Sequence, residues 1–213
     1  MSREVAVKVC GMTREADIEH ALKLGAAYIG IIVYRKSKRC VSLERAEGLL
    51  EHIPEGKRVV VDVNAGTDDL EHYRDAGFDF FQIHADYEIG LASLAGWAGI
   101  VSPEKLWIAP RVPPLEPFPQ VVLEFADTVL TDTYSKDAHG GTGKTGDWER
   151  FNTWQALYNH KRWILAGGLN PDNIIAARDE TAADVLDVNS GVEMEPGVKD
   201  LQLLETLFER LRS

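Results

Sequence analysis

The chain has 213 residues, 45% of them hydrophobic and 27% charged, with a formal net charge of -11 and a pI of about 5.0. That balance fits one compact globular domain over residues 1–213 and argues against a nucleic-acid partner or binding to an anionic membrane. No run approaches the roughly 18 apolar residues of a membrane span.

The two cysteines, Cys10 and Cys40, lie in no metal-ligand spacing, and MSREVAVKVC at the N-terminus lacks the apolar stretch of a signal peptide. A reducing, cytoplasmic setting is expected. In chain order, short β-branched runs alternate with helix-period segments. Strands are predicted over 5–10, 28–33, 58–63, 78–84, 105–109, 128–132, 162–166 and 184–188. Helices are predicted over 13–24, 42–53, 68–76, 147–158, 171–178 and 198–211, with a weaker one near 88–96.

Thr13, followed by Glu15 and Asp17, reads as a hydroxyl-capped helix start, and Gly25 as that helix's C-terminal cap. Pro110, Pro113, Pro114, Pro117 and Pro119 forbid a normal helix after the fifth strand, leaving a stub over 120–125. Eight strands with intervening helices or turns predict a closed, parallel (β/α)8 TIM barrel of class α/β, with an irregular fifth α unit. At this length each unit has about 25 residues, so loops must be brief. An open dinucleotide-binding sheet is disfavoured because no GxGxxG follows the first strand.

In such a barrel the C-terminal strand ends carry the chemistry. The last two, in RWILAGGLNPDN (162–173) and ADVLDVNSGVE (183–193), end in small residues whose N–H groups a ligand can approach. Gly167, Gly168, Ser190 and Gly191 are the candidate phosphate contacts, with helix starts expected just beyond. A phosphorylated small molecule is therefore the expected partner.

Cys10 ends the first strand and could act as a base, with Lys8 on the same face lowering its pKa. The alternative is a thiol packed as a small hydrophobe. Asp132 ends the sixth strand and could donate a proton, or simply bond its own turn. Arg39 lies in the basic loop YRKSKR, where an arginine suits bidentate carboxylate recognition, although a solvated loop would look the same. Gly141, Thr142, Gly143 and Lys144 lie in a glycine-rich loop after the sixth strand. Ala138, where a P-loop needs glycine, makes a ligand-covering loop the better reading. The six histidines show no metal-ligand spacing, and His84 reads as a rim residue or a packed core histidine.

Together KVCGMT (8–13), SKRCVS (37–42), FQIHAD (81–86), GGTGKTGDW (140–148), LAGGLNPDN (165–173), DVNSGVE (187–193) and PGVKD (196–200) resemble phosphoribosylanthranilate isomerase, in that order along the chain. The resemblance implies a cofactor-free barrel enzyme of tryptophan biosynthesis, a monomer or homodimer. It would convert N-(5-phosphoribosyl)anthranilate to 1-(2-carboxyphenylamino)-1-deoxyribulose 5-phosphate by an Amadori rearrangement. It further implies Cys10 as general base, Asp132 as general acid, Arg39 on the anthranilate carboxylate, and phosphate held at Gly167, Gly168, Ser190 and Gly191. Gly146, Asn189, Asp62 and Ala85 depart from the family's usual pattern and bear on substrate fit. Rival readings are an epimerase, which would want metal-ligating His and Asp at strand ends, and a synthase using Lys and Glu. A further rival is a catalytically silent or substrate-shifted phosphosugar-binding barrel.

Overall fold

A computed structural model describes residues 4–132 and 147–212. Eight parallel strands close into one barrel in sequence order: β1 (Ala6–Val9), β2 (Tyr28–Ile32), β3 (Arg58–Val63), β4 (Phe80–Asp86), β5 (Leu106–Arg111), β6 (Thr128–Thr131), β7 (Arg162–Leu165) and β8 (Val185–Val188). Around them run α1 (Glu15–Leu24), α2 (Leu43–Leu50), α3 (Thr67–Asp75), α4 (Leu91–Val101), α5 (Trp148–Leu157), α6 (Ile174–Glu180) and α7 (Leu201–Arg212). The barrel and the expected helices are present, including the weaker one near 88–96, which forms as α4.

Period-2 alternation divides the strand side chains into two cores. Val60, Phe81, Ile83, Ile108 and Leu186 face outward and pack against Ile18, Leu49, Leu70 and Leu204 of the helices. Cys10, Ile32, Val59, Val61, Trp107 and Leu130 belong to a separate cluster inside the barrel. Each fully buried Leu or Ile in such a layer contributes about 1.5–3 kcal/mol relative to exposure. The barrel floor is aromatic: the Phe80 ring lies 5.0 Å from Trp107, and Tyr28 meets both edge-on at 5.5 and 5.1 Å.

Several boundaries differ from expectation for local reasons. Thr13 does not cap α1. The N-cap is Arg14, with no side-chain cap bond, and the Thr13 hydroxyl donates to Gly197 O instead. Gly25 caps the other end in the left-handed conformation, φ 109°, as expected. β4 begins at Phe80 rather than at position 78 because the Phe78 N–H still donates to Tyr73 O at the end of α3. The prolines after β5 leave only a 3-10 turn, Gln120–Glu124.

The last helix begins three residues late. Val198 and Lys199 form β10 (Val198–Lys199), which pairs antiparallel with β9 (Glu193–Glu195). Asp200 then caps α7 through the Gln202 and Leu203 amides. Two residues are too few to show a strand period in sequence.

Candidate active site

Above the aromatic floor the barrel interior turns polar. Lys8 on β1 and Asp187 on β8 are direct register partners, and Lys8 Nζ donates to both carboxylate oxygens at 2.9 Å. Both side chains are almost sealed, at 0% and 6% exposure. One partner left alone there would cost about 3–5 kcal/mol. Burial by itself lowers the Lys8 pKa, but Asp187 and Cys10 more than offset this and hold the ammonium protonated.

Two residues beyond Lys8, just past the end of β1, Cys10 has 3% of its surface exposed. Burial and the Asp187 charge hold its thiol pKa above the ordinary value, so the expected lowering by Lys8, with Lys199, offsets this only in part. Across the barrel wall, β2 presents Gly30. A Cβ there would lie 2.8 Å from Cys10 Sγ and 3.0 Å from Lys8 Nζ, so the thiol and ammonium occupy the space a side chain would need.

At the C-terminal end of the strands a cavity of about 490 Å³ opens above this layer. Cys10, Arg39, Asp132, Gly167, Gly168 and Ser190 all line it. Cys10 follows the end of β1 and Asp132 the end of β6, with β8 and β7 between them around the barrel. Side chains on these strands therefore approach a central ligand from well-separated directions.

Arg39 reaches the cavity from the loop after β2 and is already paired. Its Nε lies 2.9 and 3.0 Å from the Glu193 oxygens, and its Nη2 2.7 Å from Oε2. Lys199 Nζ contacts Glu193 Oε1 at 2.9 Å from the other side. Burial would raise the Glu193 pKa, but the Arg39 hydrogen bond and the Lys199 charge hold it below the usual carboxylate value.

The glycine turns after β7 and β8 meet. Gly167 and Gly168 both take positive φ, 94° and 65°, which few other residues tolerate. Gly168 O accepts from Asn170 Nδ2 at 3.1 Å and from Asn173 Nδ2 at 2.9 Å, fixing the orientation of that peptide. Gly191 lies beyond the lining residues. A Cβ there would collide with Leu169 O, so glycine at 191 lets the two turns pack backbone to backbone.

Among the described residues, no turn or loop backbone hydrogen bond is donated by Gly167, Gly168, Ser190 or Gly191. The helix starts expected beyond them are weak. α6 begins only at Ile174 and has 7 residues, and Ser190–Val192 is a single 3-10 turn. The groups these turns can offer an anion are individual N–H groups, not the end of a long helix dipole.

Gly141, Thr142, Gly143, Lys144 and Gly146 lie outside the described residues. His84 lines the cavity, with its Nε2 3.0 Å from Gln82 Nε2, so the rim reading holds. Asp62 also lines the cavity, but its carboxylate is engaged locally, accepting from the Tyr73 hydroxyl at 2.7 Å and the Val63 amide at 2.8 Å. Ala85 faces the helices. Asn189 lines the cavity, and its Oδ1 accepts from Lys199 Nζ at 3.1 Å. Among the described residues no group of three or more His, Cys, Asp or Glu is placed to hold a metal ion.

Sequence reasoning assigned no role to Asp187, Gln82, Glu193 or Lys199. Asp187 had one usable signal: a charge inside an apolar strand is buried only when paired.

Residues 7–210 match the family described as N-(5'phosphoribosyl)anthranilate (PRA) isomerase. The N-(5'-phosphoribosyl)anthranilate isomerase of Aquifex aeolicus is 35% identical over 213 residues, covering 98% of this chain and 99% of that one. The crystal structure of phosphoribosyl anthranilate isomerase from Thermotoga maritima superposes with a TM-score of 0.81 at 28% identity, covering 98% and 99% of the two chains. A phosphoribosyl anthranilate isomerase in complex with reduced 1-(o-carboxyphenylamino)-1-deoxyribulose 5-phosphate gives 0.77 at 25% identity, with 98% and 99% coverage. With one cavity joining Cys10, Asp132, Arg39 and the glycine turns, and with these likenesses spanning nearly the whole chain, the protein belongs to the N-(5'-phosphoribosyl)anthranilate isomerase family.

Proposed function

We propose that this chain isomerises N-(5'-phosphoribosyl)anthranilate to 1-(2-carboxyphenylamino)-1-deoxyribulose 5-phosphate, the Amadori step of tryptophan biosynthesis. The observation that carries the reading is the convergence on one cavity of a strand-end thiol, a strand-end carboxyl, an arginine and two glycine turns. Family membership agrees with it. A relative crystallised with the reduced product fits the same chemistry.

In the proposed mechanism, Asp132 protonates the furanose ring oxygen and the C1–O bond breaks, leaving a protonated imine at C1. That cation acidifies the C2 proton, which the Cys10 thiolate removes to give an enolamine. Proton return to C1 and loss of the C2 hydroxyl proton yield the ketone. The whole sequence is proton transfer, so no redox partner or metal is required by its atom and electron balance. General acid and base assistance is typically worth about 10²–10⁴-fold each.

Arg39 is assigned to the anthranilate carboxylate. A charge-assisted hydrogen bond contributes about 1.5–3 kcal/mol, so Arg39→Ala should raise KM about tenfold or more. The loss should fall on ligands carrying the ring carboxylate. Equal affinity of wild type and variant for a carboxylated product analogue, measured by calorimetry, would reassign that contact.

Phosphate is assigned to the amides around Gly167, Gly168, Ser190 and Gly191. The carbonyl of Gly168 is held by two asparagine side chains, so the Leu169 N–H of the same trans peptide points the opposite way and is a further candidate donor. Valine at φ 65° is a steric outlier, so Gly168→Val should distort this turn. Product-analogue affinity is expected to fall while circular dichroism still reports a folded barrel. A folded variant with unchanged affinity would move the phosphate elsewhere.

The activity itself is tested by rescue of an isomerase-deficient tryptophan auxotroph and by assay of the purified protein on phosphoribosylanthranilate. Folded protein that fails both would overturn the reading.

A further inference from the structure

The Arg39 guanidinium is built into the protein on one edge and left open on another. Glu193 takes Nε and Nη2, whereas among the described residues Nη1 carries no hydrogen bond. Glu193 is itself held by Lys199 Nζ at 2.9 Å, and its Oε1 accepts from the Gly197 N–H at 3.2 Å. Lys199 Nζ also donates to Asn189 O and Oδ1, tying the array to the end of β8.

The β9–β10 hairpin that carries Glu193 and Lys199 is fastened to the start of α1. The Lys199 N–H donates to Asp17 Oδ2 at 3.1 Å, and the Thr13 hydroxyl holds Gly197 O. Arg39 is clamped on its stem as well, since a Cβ on Gly11 would lie 2.7 Å from Arg39 Cδ.

Stability alone is a poor reason for such an array. Glu193 and Lys199 are 4% and 0% exposed, and apolar residues of similar volume usually replace a buried ion pair without loss. What ions and bidentate bonds do supply is fixed direction. Preorganising a binding group lowers the ordering cost of association.

We propose that Glu193, backed by Lys199, is the positioning residue that presents the free edge of Arg39 to the ring carboxylate of the substrate. The hairpin after β8 thereby joins the carboxylate subsite to the phosphate turn at Ser190, and the two ends of the substrate are recognised at a fixed separation. The proposal rests on the assignment of Arg39 to that carboxylate.

The test measures calorimetric affinity for two ligands: the reduced o-carboxyphenylamino product analogue and its phenylamino counterpart without the carboxylate. Their ratio is the carboxylate discrimination. Glu193→Gln is expected to lower this ratio about tenfold and to raise KM similarly, with kcat changed far less, as for loss of uniform binding. In an Arg39→Ala background the same substitution should leave the ratio unchanged.

A lower melting temperature with both ligands weakened equally would mean a merely structural role and overturn the proposal. So would an undiminished effect of Glu193→Gln without Arg39. If Glu193→Gln does not fold, Glu193→Asp keeps the charge but retracts it by one methylene, and a folded Asp variant with wild-type discrimination overturns the proposal equally. Should Arg39→Ala itself leave the ratio intact, the carboxylate assignment falls and the positioning role with it. Should Arg39→Ala abolish the ratio while Glu193→Gln does not lower it, only the positioning role falls.

Discussion

Asp132→Asn is expected to lower kcat by about 10²–10⁴-fold while leaving affinity for the reduced product analogue within a few-fold of wild type. The ring oxygen is a poor leaving group unless a proton reaches it as the C1–O bond breaks. An amide keeps the shape and much of the hydrogen bonding of the acid but cannot deliver that proton. Asp132 follows the end of β6 directly and lines the cavity without belonging to the buried core. Single-turnover kinetics separate the two effects, because binding is read before chemistry. A near-native kcat for the purified Asn variant would leave Asp132 with a structural role only.

Cys10→Ala should be as damaging, because it removes the proposed base while leaving a cavity lined by the same neighbours. Cys10→Ser should be poor as well, since an alcohol holds its proton far more tightly than a thiol. The pH dependence follows from the surroundings of the sulfur. With Cys10 as the proposed base, activity requires its thiolate, so kcat/KM should fall as pH drops through the thiol pKa. Burial sets that limb above an ordinary thiol, and the Lys8 and Lys199 charges draw it back only in part. The wild-type limb should therefore disappear in any residual activity of Cys10→Ala. A fully active alanine variant, or a residual rate with the same limb, would reassign the base.

Much of this architecture is legible in the chain itself. Alternating β-branched runs and helix-period segments dictate a parallel (β/α) arrangement, and a closed ring is the outcome. Prolines after β5 exclude a helix there by removing N–H donors, and a 3-10 turn stands in its place. Small residues at the ends of β7 and β8 mark backbone that must come close to something. Gly191 shows that part of that closeness is internal, against Leu169 O.

Period-2 spacing also places Lys8 and Cys10 on one strand face, but it says nothing about what each one meets. Lys8 and Asp187 are 179 positions apart, and Arg39 and Glu193 are 154 apart. No local pattern encodes an ion pair across such distances. Barrel closure brings β1 against β8 and makes the first pair. The hairpin pinned to α1 brings Glu193 under Arg39 and makes the second. The sequence by itself determined that Lys8 and Cys10 share a face, because facing is a property of a single strand. Only the tertiary structure decided their charges' partners, because Coulomb attraction and hydrogen bonding act over a few ångströms of space, whatever the separation along the chain.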